Sequence, residues 1–270
     1  MSQNLKECKN INYYATGKEP TGELLVNAVY DLYQDKTIVN SKMKLLVQKM
    51  NQLYVTYRQS YFCSSVSNNE FSLKYCEKLN DDKIKKHLRQ EQMVYCHPLS
   101  NYSTKWFSFN IMNNGETSLE DIREYTKKII SALQLYIPAK YIYCYRDGSG
   151  GYSVIVHLRD FTYIDKINKF KKHIWVLFKL NIKNVEMKPK TSNYSSKENT
   201  LLLPLSKNLS NTNPETNFCC FVNINTLEPF LGQYRYFMNI KALPFDIFYN
   251  KSMLATRHYN KKLKKVMKKL

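Results

Sequence analysis

Three of the seven glycines in this 270-residue chain crowd into one turn, Asp147-Gly148-Ser149-Gly150-Gly151. Glycine reaches φ > 0 without a steric penalty and lets backbone approach closely, so such a turn suits a tight β-hairpin. The flanks agree. Lys140 to Arg146 and Tyr152 to Leu158 read as the two arms. Period two puts Tyr152, Val154, Val156 and Leu158 on one side of the return strand and Ser153, Ile155 and His157 on the other. Upstream, Trp106 to Met112 alternates in the same way, with Phe107, Phe109 and Ile111 on one side and Trp106, Ser108, Asn110 and Met112 on the other. Between these strands Ser118 and Asp121 make a capping-box-like helix start. Ile122, Ile129, Ile130 and Leu133 supply a buried stripe for a helix from Ser118 to Tyr136. That helix is expected to cover the Phe107 side. The face with Asn110 and Met112 is left open or faces another element. A β-α-β-hairpin of this kind can form one side of a nucleotide-handling site.

The remaining elements arrange themselves around this unit. Thr21 can cap a helix carrying Leu24, Leu25, Ala28, Val29 and Leu32, and a second helix is expected over Ser41 to Tyr57. Residues 1–75 thus read as a small helical N-terminal region, 76–225 as an α/β core, and 226–270 as a C-terminal extension. Ile84 to Gln92 reads as a short basic helix on which His87 is a partly exposed helical histidine. A strand is expected from Gln92 to Tyr95. Tyr163 to Phe178 reads as a helix with Ile164, Ile167, Phe170, Ile174 and Leu177 inward and Lys166, Lys169, Lys171 and Lys172 outward. Asn184 to Lys188 reads as a strand stopped by Pro189, and Phe218 to Val222 as another. The Asn- and Ser-rich stretch Ser206 to Asn217 reads as a mobile loop. The tail from Asn260 to Leu270, NKKLKKVMKKL, reads as a helix with an apolar stripe of Leu263, Val266, Met267 and Leu270 and a lysine face.

Charge then points to a partner class. Forty-one Lys and Arg stand against 22 Asp and Glu, a formal net charge of +19. Such an excess favours a polyanion, because each phosphate contact releases counterions. A coding bias toward Lys, Asn and Tyr is the bland source of the same excess. The N-terminal residues hold no apolar signal core and no apolar run approaches a membrane span, so a cytoplasmic protein is expected. Seven cysteines without a CxxC pair read as reduced, mostly buried thiols rather than a metal site.

Five short motifs in order carry a family resemblance over roughly residues 83–222. They are His87-Leu88; Tyr95-Cys96-His97-Pro98-Leu99; Thr104-Lys105-Trp106-Phe107; Ser149-Gly150-Gly151-Tyr152-Ser153; and Val185-Glu186-Met187-Lys188-Pro189 followed by Asn199-Thr200-Leu201-Leu202-Leu203-Pro204-Leu205. Together they resemble the primase-polymerase core of the archaeo-eukaryotic primase superfamily, closest to its mobile-element and TOTE-like branch. The resemblance implies an α+β fold, a primase-polymerase core with an RRM-like β-α-β-β unit, preceded by the small helical region. It also implies an Asp-x-Asp pair holding divalent metal where this chain has Asn110 and Met112, a phosphate-contacting histidine at Ser153, and a third acidic ligand at Glu186. Magnesium and manganese want hard anionic oxygens, which an amide and a thioether do not supply.

The expectation is therefore a nucleic-acid-binding replication protein of a plasmid or mobile element, built on a catalytically degenerate primase-like fold. No catalytic residue, metal ligand or cofactor is assigned. Mg or Mn enters only under the alternative of an active primase with altered ligands. A third reading is a docking subunit for a replicative helicase. The expected partner is nucleic acid, DNA in preference to RNA. Candidate contacts are Arg89, Lys105, Trp106, Arg146, Ser149, Gly150, Tyr152, Lys188 and Lys190, with Tyr141, Tyr143 and Tyr145 as further base-stacking candidates.

Overall fold

A computed structural model describes residues 36–67, 70–98, 102–180, 185–190, 199–209, 211, 217–230 and 232–267. The helix expected after Thr21, most of the loop at 190–199, half of the loop at 206–217, and residues 268–270 of the tail lie outside them. Helix α1 (Lys36–Leu53) leads into strands β1 (Ser60–Ser67) and β2 (Glu70–Glu77), helix α2 (Asp81–Leu88), and strands β3 (Met93–Cys96) and β4 (Ser103–Ile111). Then come helix α3 (Leu119–Gln134), a 3-10 turn (Ala139–Tyr141), strands β5 (Tyr143–Arg146) and β6 (Tyr152–Tyr163), helix α4 (Ile164–Leu177) and strand β7 (Val185–Lys188). Short strands β8 (Leu201–Leu202), β9 (Ser206–Lys207), β10 (Phe218–Cys219) and β11 (Phe221–Val222) precede helices α5 (Gln233–Met238) and α6 (Phe245–Met267).

The fold is mixed α+β with antiparallel strand ladders. The central sheet has the order β11-β5-β6-β4-β7, and a second sheet has the order β2-β1-β3-β8. The period-two reading of β4 and β6 holds. Phe107, Phe109, Ile111, Val154, Val156 and Leu158 all enter one core, together with Ile122, Ile129, Ile130 and Leu133 of α3. Ser118 caps α3 by accepting from the Asp121 amide. The same core takes Ile167, Phe170 and Ile174 from α4 and Phe248 and Ala255 from α6. Each such buried Phe or Ile contributes about 1.5–3 kcal/mol relative to exposure.

The other face of the central sheet is covered. Trp106, Tyr143, Tyr145, Ile155 and Phe221 form a second core with Met50 and Tyr54 from α1 and its C-terminal end, Tyr61 of β1, and Val94 and Cys96 of β3. The molecule is thus three layers: helices, the central sheet, and a layer of α1 with the second sheet.

Several expectations are corrected here. Within 1–75, expected to be a helical region, residues 60–67 and 70–75 lie in strands β1 and β2, which pair with each other, and β1 pairs with β3. The Lys140–Arg146 strand begins only at Tyr143, after the 3-10 turn, whereas β6 runs five residues beyond Leu158. Phe218 to Val222 divides between two sheets. The described part of the basic tail, Asn260 to Met267, is the end of a much longer helix, α6, and Leu263 on its expected stripe is 40% exposed. His87 is buried: its Nδ1 accepts from the Val94 amide at 3.2 Å and its Nε2 lies 3.0 Å from the Pro204 carbonyl. Lys171 is buried too, donating to the Pro189 carbonyl at 2.7 Å.

Candidate functional site

Register decides which of the candidate positions meet. Asn110 of β4 is directly opposite Ser153 of β6 on one side and Glu186 of β7 on the other. Direct antiparallel partners share a face, with Cβ atoms about 4.5–5.5 Å apart. Ser153 in turn faces Tyr145 of β5. A row Tyr145–Ser153–Asn110–Glu186 therefore crosses four strands on the face turned toward the second layer. The neighbouring row on that face holds Tyr143, Ile155, Ser108 and Lys188. Three of the four positions singled out for the family chemistry converge. Met112, expected at the end of the strand, lies just past β4 and is 39% exposed.

The electrostatics of the row run opposite to those of a metal centre. Its one carboxylate, Glu186, is 2.9 Å from Lys190 Nζ and 3.5 Å from Lys188 Nζ. Lys188 comes from the same face two residues along the strand, and Lys190 reaches back from beyond the strand end. The segment carrying both lysines is held firmly. Asn199 accepts from the Lys190 amide at 2.8 Å and donates to its carbonyl, while Lys171 ties down the Pro189 carbonyl. Burial pushes the Lys171 ammonium down to about 7. The row and its surround thus hold one carboxylate, two ammonium groups, an amide and hydroxyls. That donor set does not suit Mg or Mn, which need several anionic oxygens. The Asn110 Oδ1 and Ser108 Oγ atoms are buried and make no hydrogen bond to a described residue. They leave hydrogen-bonding capacity beside the two lysines. Among the described residues no three His, Cys, Asp or Glu side chains are grouped so as to hold a metal ion.

The glycine turn is built for structure. Asp147 Oδ1 accepts from the Ser149 amide at 2.8 Å, the Ser149 hydroxyl at 2.8 Å and the Gly151 amide at 3.0 Å. An internal carboxylate therefore fills the concavity that the Ser149 and Gly151 amides would otherwise present to a phosphate. Burial raises the Asp147 carboxyl above its ordinary range, and these hydrogen bonds oppose that rise. On the outside, Asn211 donates to the Gly148 carbonyl and Asn208 to that of Asp147. Gly148 needs its glycine: at φ +74, an added Cβ would stand 2.6 Å from both Asn208 Cβ and the Asn217 carbonyl oxygen.

The remaining contact candidates scatter. Trp106 is fully buried and donates Nε1–H to the Tyr54 carbonyl at 3.0 Å, so its ring is not a stacking platform. Tyr141, Tyr143, Tyr145 and Tyr152 are buried as well. Arg146 and Tyr152 pair with each other on the helix-covered face, opposite to Asn110, with the guanidinium 5.9 Å from the Tyr152 ring centre. Gly150 and Ser149 sit in the turn, the latter exposed. Lys105 marks an irregularity at the other end of β4 and lies over the Phe161 ring. Arg89 is an exposed C-cap of α2. Of the expected phosphate contacts, Lys188 and Lys190 alone reach the Asn110 row, through Glu186. Ser108 shares that face in the alternation, and its proximity to Lys188 follows from the β4–β7 register. No feature of the local pattern marked Lys171, whose burial comes from tertiary contact with residue 189.

No protein-family model matches the chain, and no curated protein matches its sequence.

Proposed function

We propose that this protein binds nucleic acid, DNA in preference to RNA, in the replication of a plasmid or other mobile element, on a primase-like fold that has lost nucleotidyl transfer. The observation that carries the reading is the pairing of Glu186 with both Lys188 and Lys190 in the row shared with Asn110 and Ser153. Two-metal phosphoryl transfer depends on carboxylates that gather cations and offset charge on the attacking and leaving oxygens. Here ammonium groups stand beside the last carboxylate, and the local charge is net positive. Such a patch favours a phosphate oxygen and disfavours a divalent cation.

A second basic surface supports the same partner. Lys166, Lys169 and Lys172 are exposed along α4, and Arg257, Lys261, Lys264 and Lys265 are exposed along α6. The two helices pack together, with His173 stacked on Tyr259 at 4.3 Å and Lys262 donating to the Val176 and Leu177 carbonyls at the end of α4. The overall charge of +19 agrees.

A salt-dependent binding titration tests the proposal, with labelled single- and double-stranded DNA and RNA of matched length. Log K is expected to fall linearly with log salt, with a slope of about −0.7 per contacted phosphate on single strands or about −0.9 on duplex. Absence of binding to all four at low salt would remove the proposal.

A further inference from the structure

We propose a separate anion site beside the C-terminal half of β6: a cavity between α1, residues 158–159 of β6 and residues 240–242 that takes the phosphate group of a nucleotide or of a nucleic-acid backbone. It does not depend on the reading of the Glu186 row. Ser153 of that row and Arg159 at the cavity are six residues apart on β6, roughly 20 Å along the strand.

The cavity measures about 280 Å³, and Lys49, Arg159 and Lys241 line it. Among the described residues no carboxylate lines it. Neither the Arg159 guanidinium nor the Lys241 ammonium pairs with a described acidic side chain. Three cations around one small space repel each other, and an anion between them turns that repulsion into attraction. A phosphate matches the groups on offer, since a guanidinium presents a planar fork of donors and an ammonium a compact charge.

The backbone that carries Arg159 and Lys241 is held by the fold, and Lys49 is held by its ammonium group. The Arg159 amide donates to the Leu243 carbonyl at 2.9 Å, and the Leu243 amide to the His157 carbonyl at 2.7 Å. The Lys241 amide donates to the Tyr143 hydroxyl at 2.8 Å, and that hydroxyl also lies 3.2 Å from the Lys241 carbonyl oxygen. Lys49 Nζ donates to the Ile240 carbonyl at 2.8 Å, which leaves further N–H bonds for a ligand. The C-terminal carbonyls of α1 would oppose an anion, but two near the cavity are occupied. The Leu53 carbonyl oxygen lies 3.2 Å from His157 Nδ1, and the Met50 carbonyl accepts from the Tyr54 amide at 2.9 Å. Burial holds the Lys49 ammonium below its usual range, so a neighbouring anion has charge stabilisation to restore. Leu53, Leu158 and Ile240 give apolar walls that suit a sugar or base attached to the phosphate.

The test compares the wild-type protein with the double variant R159Q/K241Q, using adenosine monophosphate by calorimetry and an oligothymidylate by fluorescence anisotropy. Affinity for at least one probe is expected to fall about tenfold or more, as loss of charge-assisted hydrogen bonds requires. Loss confined to the mononucleotide assigns a free nucleotide. A weaker oligonucleotide with a shallower salt slope assigns a backbone phosphate. Unchanged affinity for both probes, or no binding of either by the wild-type protein, overturns the proposal. Acetylation of Lys241 in the wild-type protein gives a reading independent of how the variant folds. Slowing by a saturating probe is expected, and an unchanged rate with both probes contradicts the site.

Discussion

Lys190 Nζ stands 2.9 Å from Glu186 Oε1, so the one carboxylate in the Asn110 row faces an ammonium group from beyond its own strand. The Glu186 and Lys190 side chains are 23% and 35% exposed. A pair this accessible is worth about 0–1 kcal/mol, weak enough for a phosphate to replace the carboxylate as the lysine's partner.

Glu186→Gln should therefore strengthen nucleic-acid binding. Releasing the two lysines is expected to raise affinity at low salt by about fivefold, equivalent to about 1 kcal/mol. The salt slope should steepen by about 0.7–0.9 for each added phosphate contact. Anisotropy titrations at several salt concentrations check this. A fall in affinity would place Glu186 in a role other than neutralising Lys188 and Lys190.

Trp106 separates a packing role from a stacking one. Trp106→Ala should cost about 3–5 kcal/mol of stability, because it empties a fully buried site. Trp106→Phe keeps much of the volume but leaves the Tyr54 carbonyl without its Nε1–H donor, at a cost of about 1–3 kcal/mol. Urea unfolding measures both. Folded Trp106→Phe is expected to bind oligonucleotide as the wild type does.

The parts of this fold legible in the sequence are those set by local period. Phe107, Phe109 and Ile111 declared a strand face, and Ser118 declared the start of α3. The meeting of Asn110, Ser153 and Glu186 was not legible: it is set by the β4–β6 and β4–β7 registers, which local period does not fix. What period cannot supply is which layer closes over an element. Trp106 and Tyr145 alternate as an exposed face would, yet Tyr54 and the second sheet cover them. Lys171 occupies a position that helical spacing places outward, but the chain at Pro189 folds over it. The β1–β2 hairpin did leave a signal: two strand-like runs, SYFCSSVS and EFSLKYCE, flank Asn68-Asn69.

Acid should destabilise the protein through His87 and His157. Burial lowers their pKa values to about 4 and about 3, against 6.5 for the free side chain. Below pH 6.5 the unfolded chain binds protons that the folded protein refuses, so stability falls as pH drops toward 4. For His87 the full difference is roughly 3 kcal/mol. Thermal unfolding across this range should show the loss, and His87→Gln should reduce it to the part that His157 supplies.

Lys171 acts in the alkaline range with the same sign. Its folded value of about 7 lies below the ordinary 10.5. Between these values the unfolded chain holds more protons, so this group's contribution to stability rises with pH. Lys171→Met removes that rise. The difference in melting temperature between variant and wild type should favour the variant at pH 7 and shrink toward pH 9. A difference independent of pH would show that Lys171 is not buried in its charged form.

Template-directed primer synthesis with manganese and all nucleotides, run beside the Glu186→Ala variant, addresses the central claim most directly. Wild type and variant are expected to give the same background, while both retain salt-sensitive binding to the template. Robust synthesis by the wild type that Glu186→Ala abolishes would contradict the account, because it would make Glu186 a working ligand rather than the neutralised partner of Lys188 and Lys190.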